Sequence, residues 1–295
     1  MALTSVSELK IPDTKITVYE NPADPVWVST YHDQREGGGY PSYARDPATG
    51  TFAFFGNWEE PIASPGGGYV ASLSATRFRV GDFETLLLRD RVTGQDRRLR
   101  TVDKPATLFQ PGWSADGRRL LATVVEIGGA ERAMGFAVVD PVTGGVKITK
   151  VPGATAARYA WGSDVKSVLY QATGGAVRTL DLDGNLLKVF SGVGELVPGG
   201  AARTALGTVF ATKCVENSRN ICLWDERSGA KKGLARLPKG GAFHGWLDER
   251  HFLATMPDGP NTDVVLMDVT GRVARTLATG PTAEIDRVAL WFTRK

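Results

Sequence analysis

Six times along this 295-residue chain an aspartate is followed, three or four residues later, by a glycine, and the intervals are nearly even. The pairs are Asp46 and Gly50, Asp90 and Gly94, Asp140 and Gly144, Asp181 and Gly184, Asp225 and Gly229, and Asp268 and Gly271. Successive aspartates lie 44, 50, 41, 44 and 43 residues apart. That is the period of a four-stranded blade in a β-propeller. Each pair has a local reason to form a turn: the carboxylate accepts bonds from nearby backbone N–H groups, and glycine takes the positive φ that closes it. The 35 glycines and 16 prolines lie between β-rich runs, which argues for turns rather than disorder.

The repeat is read as inner strand, tight turn, second strand, loop, third strand ending at the aspartate, turn and outer strand. In the third copy these are Leu108 to Trp113, Arg119 to Val125, Phe136 to Val139 and Val146 to Val151. Six outer turns predict an all-β, six-bladed propeller of antiparallel four-stranded blades; a seven-bladed alternative needs a seventh turn. Residues 1–24 are expected to be an N-terminal extension and 25–295 a single propeller domain. The stretch Ile285 to Phe292 is expected to supply the inner strand of the first blade and close the ring, hiding two sheet edges. Ile16 to Tyr19 could instead provide that strand, or an extra outer one.

The segment Trp113-Ser114-Ala115-Asp116-Gly117, followed by an apolar strand, resembles the repeat signature of TolB-like propellers. Weaker copies begin at Ser64, Trp161 and Trp246. Leu223-Trp224-Asp225 is similar to the dipeptide of WD-repeat proteins, without their Gly-His pair. The resemblance spans roughly residues 25 to 292 and implies fold more than activity, since such repeats occur in translocation scaffolds, sensor domains and peptidase lids.

A charge of +3, with 35 basic and 32 acidic residues intermixed, offers no run that would track a phosphate backbone, so no nucleic-acid partner is expected. No apolar stretch approaches the ~20 residues that span a bilayer, so no membrane insertion is expected either. The resemblance implies an extracytoplasmic bacterial protein, periplasmic or secreted, with a cytoplasmic one as the alternative.

In a propeller blade the second-to-third-strand loops and the inter-blade connections share one face. Here those segments are the longer and more varied ones, including 33–40, 75–84, 126–135, 215–220 and 256–263, with inter-blade connections at 57–61, 102–107, 152–158 and 238–244. Varied loops on a regular scaffold are the usual place for recognition. The candidate partner-binding residues are Trp58, Glu59, Arg77, Arg79, Lys104, Arg132, Arg158 and His244. The plain alternative for each is a solvated rim. Trp113, Trp161 and Trp246 recur at the end of inner strands and are expected to pack between blades.

His32, His244 and His251 have no metal-binding spacing, and no Gly-x-Ser-x-Gly elbow is present. No metal and no catalytic set is therefore assigned. Six-bladed lactonases hold calcium in the central channel, and the oxygens that could serve here are those of Asn57, Glu59, Glu195 and Glu284; solubility alone would also supply such residues. The leading reading is a non-catalytic scaffold for a protein or peptide partner. The alternative is a hydrolase, lyase or cyclase acting on a small molecule in the channel mouth, with His244 and Arg158 as an acid/base and anion-holding pair.

Cys214 and Cys222 are the only cysteines. With Ser218 at the tip of the intervening loop they face each other across two strands, near enough for a disulfide; the alternative is two half-buried thiols. Intact mass after alkylation separates the readings: a bridge predicts no label before reduction and two labels after it, whereas thiols take label at once.

Overall fold

The computed structural model describes residues 6–294 apart from 25, 37–38, 76–80, 129–130, 154–157, 173–174, 198–207 and 247–249. Arg77 and Arg79 lie outside the described residues. The regular structure of the described chain is almost all antiparallel strand, gathered into five sheets in a ring-like arrangement. Three sheets have four strands in chain order. They are Ala106–Trp113, Leu120–Glu126, Arg132–Val139 and Val146–Lys150; Tyr159–Trp161, Ser167–Gln171, Val177–Asp181 and Leu186–Phe190; and Glu195–Leu196, Val209–Lys213, Asn220–Asp225 and Lys231–Arg236. A six-stranded sheet runs Ala242–Trp246, His251–Asp258, Asn261–Asp268, Val273–Pro281, Thr17–Glu20 and Ser7–Lys10. A seven-stranded one runs Val288–Arg294, Val26–Asp33, Pro41–Arg45, Phe52–Ala63, Tyr69–Ser74, Phe83–Asp90 and Asp96–Asp103.

The six aspartate turns form by one mechanism. Asp90 Oδ1 accepts from the N–H groups of Val92 (2.8 Å) and Thr93 (3.0 Å), and Asp140 does the same with Val142 (2.8 Å) and Thr143 (3.1 Å). Asp46, Asp181, Asp225 and Asp268 make equivalent bonds, and all six glycines have φ between 72° and 92°. These bonds favour the charged carboxylate and hold each of the six below the ordinary aspartate pKa; the Ser228 N–H and hydroxyl bring Asp225 down to about 2. Outer strands then reach the turn of the next sheet. Arg97 donates to the carbonyls of Pro141 and Val142, Lys147 Nζ lies 2.5 Å from Asp183, and Lys188 donates to the carbonyl of Arg227.

The core lies between neighbouring sheets. Leu121, Phe136 and Val138 pack against Tyr159, Trp161 and Val168, and Ala160, Leu169 and Phe190 against Leu196 and Phe210. Middle strands such as Leu120–Glu126 are buried on both faces and read as continuous apolar runs, while outer strands such as Val146–Lys150 keep exposed polar positions. Trp113 Nε1 donates to the Ile62 carbonyl (3.0 Å) and Trp161 Nε1 to that of Gly112 (2.9 Å), so each indole braces its inner strand on the preceding one.

Three expectations need correction, and of the two alternatives for Ile16 to Tyr19 the added outer strand is the one found. The region from Ile285 begins as a helix, Thr282–Arg287, because Pro281 starts a run of helix-compatible residues with Glu284 in the first turn and Arg287 in the last. Only Val288–Arg294 is strand, paired with Val26–Asp33. The connection 57–61 is no loop: Phe52–Ala63 is one continuous strand whose first half pairs with Pro41–Arg45 and second half with Tyr69–Ser74. The segment 256–263 is mostly hairpin, its strands meeting at Asp258 and Asn261 around Gly259. Thr17–Glu20 pairs with Val273–Pro281, making it an added outer strand, and Ile11, Ile16 and Val18 are buried in the core there.

Gly135 crosses its sheet where a Cβ would overlap the Thr149 carbonyl oxygen, whereas Gly94, at φ 72°, has open space around it. Gly94→Ala is expected to cost about 1–2 kcal/mol from φ alone, and Gly135→Ala clearly more, since backbone must move. Urea unfolding of the two variants checks the order.

Candidate functional site

Strands of three of the five sheets converge on a cavity of about 340 Å³, here called axial, lined by Glu60, Gln110, Trp113, His244, Trp246, Trp291 and Arg294 among others. A second cavity of 420 Å³ continues from it along the strands Ala242–Trp246 and Val288–Arg294, and the two meet at His244, Leu253, Trp291 and Phe292.

Bulges turn polar side chains into this space. Glu59 pairs with Leu73 and Ile62 with Ala71, leaving Glu60 and Pro61 opposite a single residue. Phe109 pairs with Thr123 and Gly112 with Leu121, leaving Gln110 and Pro111 in the same position. His244 is the extra residue between Phe243 and Gly245 in the third case. Glu60 and Gln110 both have φ of 50°, a left-handed conformation costly for a non-glycine residue. The Gln110 Oε1 and the indole nitrogens of Trp246 and Trp291 are buried with no hydrogen-bond partner among the described residues. Glu60, Gln110 and Arg294 were not singled out from sequence; the signal was a Glu-Pro and a Gln-Pro pair fifty residues apart inside strand runs, where proline marks a bulge.

Of the described candidate residues, His244 alone enters the axial cavities. Its Nε2 lies 3.2 Å from Thr255 Oγ1. The imidazole opens onto the axial space while protein surrounds it on most sides, and desolvation lowers its pKa below the ordinary histidine value. Trp58 is half-buried, packed on the group of Ala44, Phe55, Ala63, Val70 and Leu87 with Arg98 over its ring at 5.7 Å. Glu59 is buried, 7% exposed, rather than on a solvated rim.

The remaining charges are matched locally. Lys104 Nζ lies 3.0 Å from Glu84 Oε2, which also accepts from Thr107 Oγ1 at 2.7 Å; Glu84 is fully buried. Arg132 pairs with Glu126 at 2.7 Å, and Arg158 with Glu131 at 3.8 Å. Arg132 borders a separate hollow of 220 Å³ beside Lys150 and Pro152. Among the oxygens considered for calcium, Glu195 pairs with Lys213 at 3.2 Å and Glu284 accepts the Lys15 N–H at 2.6 Å.

Cys214 and Cys222 are joined in a disulfide with Cα atoms 5.1 Å apart. They are not directly opposite. Thr212 pairs with Cys222, and the Cys214 N–H donates to the Asn220 carbonyl, so the tip falls at Asn217, which caps the turn through Arg219 N–H at 3.0 Å. The bridge is therefore diagonal, between residues on one face of the pair. Beside it lies a third cleft, of 650 Å³, between this loop and the connection 237–243.

Because folding favours neutral His244, its contribution to stability is present above an unfolded pKa of about 6.5 and is lost as pH falls through the lowered folded value. His244→Gln should flatten the fall in Tm between about pH 7 and pH 5; parallel curves for the two proteins would contradict this.

Comparison of the sequence with protein-family models and with curated proteins gives no match. Solved structures do match. TolB from Acinetobacter baumannii superposes with a TM-score of 0.60 at 14% sequence identity, over 90% of this chain and 66% of that one. The chain thus spans just under two thirds of that protein's length, and the likeness is one of fold: the chain has a β-propeller fold similar to that of TolB.

Proposed function

We propose that the chain is a non-catalytic six-bladed propeller that binds a protein or peptide through the face carrying the second-to-third-strand loops and the inter-blade connections. Six blades follow if Phe52–Ala63 is taken as the outer strand of one blade running on into the inner strand of the next, and if Val288–Arg294 is the inner strand that closes the first. Six apolar interfaces between consecutive blades support that count.

The observation that carries the binding role is the 650 Å³ cleft, since its two walls are a second-to-third-strand loop and an inter-blade connection on the nominated face. Strand ends and a disulfide fix both walls, so little ordering entropy is lost on association. The candidate charges Lys104, Arg132 and Arg158 are spread among separate ion pairs, an arrangement better suited to a broad contact than to one reacting centre. No cofactor enters this reading. The TolB-like fold is in keeping with an extracytoplasmic location, and a disulfide suits an oxidising compartment. No helix among the described residues is long and apolar enough to cross a membrane.

A small-molecule reading keeps one point in its favour, the two axial cavities that join at His244. Among the described residues, Arg158 lies 3.8 Å from Glu131 and His244 3.2 Å from Thr255.

Charge reversal separates the faces. With immobilised protein and a cross-linked native extract, Arg132→Glu with Arg158→Glu should reduce recovery of a specific partner several-fold, while Arg118→Glu with Lys147→Glu on the opposite, short-turn side should not. Equal recovery by both pairs would remove the face from the proposal.

A further inference from the structure

The cleft beside the disulfide has a built chemical character. Its floor is apolar, made by Val197, Ile221, Leu237 and Phe243, and Phe243 is held in place by ring contacts to Trp246 and Phe252 at 5.5 and 5.7 Å. One rim is the loop 215–219, tied at its base by the Cys214–Cys222 bridge and at its tip by Asn217. The other is the turn after Pro238, where the Gly241 N–H donates to the Pro238 carbonyl at 3.0 Å and a Cβ on Gly241 would meet the Thr255 carbonyl at 2.5 Å.

Each rim ends in an exposed cation, Arg219 on one side and Lys239 on the other. Neither has a carboxylate within 4 Å among the described residues, unlike Lys213 in the same cleft, which is satisfied by Glu195. Lys104, Arg132 and Arg158, also on this face, each have an acidic partner. This cleft thus combines an apolar floor with two rim cations that have no carboxylate partner among the described residues. Water excluded from the floor would strengthen attraction at the rims, as around a buried anchor at an interface.

We infer that this cleft docks an acidic polypeptide segment that inserts one bulky apolar side chain between Arg219 and Lys239, and that the Cys214–Cys222 bridge holds the cleft in its binding shape. The inference rests on the protein-binding reading above and narrows it to one site and one partner chemistry. The apolar side chain covers Ile221 and Phe243, and flanking carboxylates meet the two cations. Reducing the bridge releases the loop from the strand Asn220–Asp225 and separates Arg219 from Lys239. No other redox chemistry is involved: two electrons and two protons from a thiol reductant convert the disulfide to two thiols.

The test is fluorescence polarisation of the full chain with two labelled octapeptide pools. Both carry Leu or Phe at the centre; one is flanked by Asp and Glu, the other by Lys and Arg. Polyglutamate serves as a control for charge alone. The expected result is binding of the acidic pool, weakened about tenfold by Arg219→Glu with Lys239→Glu, with the basic pool then preferred. Cys214→Ser with Cys222→Ser, checked for an unchanged fold by circular dichroism, should weaken the acidic pool several-fold and match the reduced and alkylated wild type. Binding of both pools alike, or of polyglutamate as tightly as the acidic pool, overturns the inference. If the acidic pool binds but the charge reversal leaves it unchanged, this cleft is excluded while the face survives. If neither pool binds and the reversals of Arg132 and Arg158 also leave partner recovery intact, both readings fall.

Discussion

The architecture depends on a carboxylate accepting backbone N–H groups at the outer corner of each repeat. That bond fixes where the third strand ends and the outer strand begins, and glycine at positive φ makes the reversal geometrically accessible. Because the turns stand at nearly equal intervals, equal strand hairpins follow, and their two-sided apolar faces have nowhere to go but against one another. Arg97, Lys147 and Lys188 then reach from one outer strand to the next turn, so the corners that shape each sheet also link it to its neighbour. Each exposed link contributes little singly, and the bulk of the cohesion lies in the apolar layers between sheets.

Much of this was legible in the sequence because turn chemistry is local. The aspartate and glycine of a turn act over five residues, and the second strands Tyr69–Ser74 and Ser167–Gln171 fall where the periodicity places them. What escaped was decided by distant partners. Phe52–Ala63 contains Gly56, Asn57 and Pro61, residues that signal a break, yet pairing on both sides keeps it extended. Thr282–Arg287 has no register constraint from a neighbouring strand, so local preference prevails there and gives a helix.

Site residues were less legible for the same reason. The packing of Trp58 depends on Gly56, which lets the indole lie back against the chain, 2.6 Å from where a Cβ would stand. His244, expected at the start of an inner strand, lies at a bulge inside Ala242–Trp246 and lines both cavities. Glu60 and Gln110 reach the axis only through bulges, and the pairing that creates a bulge cannot be seen in one strand alone. Arg219 and Lys239 lie twenty residues apart in sequence and become neighbours across a cleft only when one blade's outer strand leads into the next.

The pairing of Val288–Arg294 with Val26–Asp33 joins segments some 260 residues apart. On a ribosome, the strand Val26–Asp33 therefore emerges long before its neighbour exists and must wait with one hydrogen-bonding edge uncovered. Such a strand is open to pairing with other nascent chains. Synthesis of Val288–Arg294 thus governs when this edge becomes covered, and a product lacking that strand would keep the edge exposed for its whole lifetime.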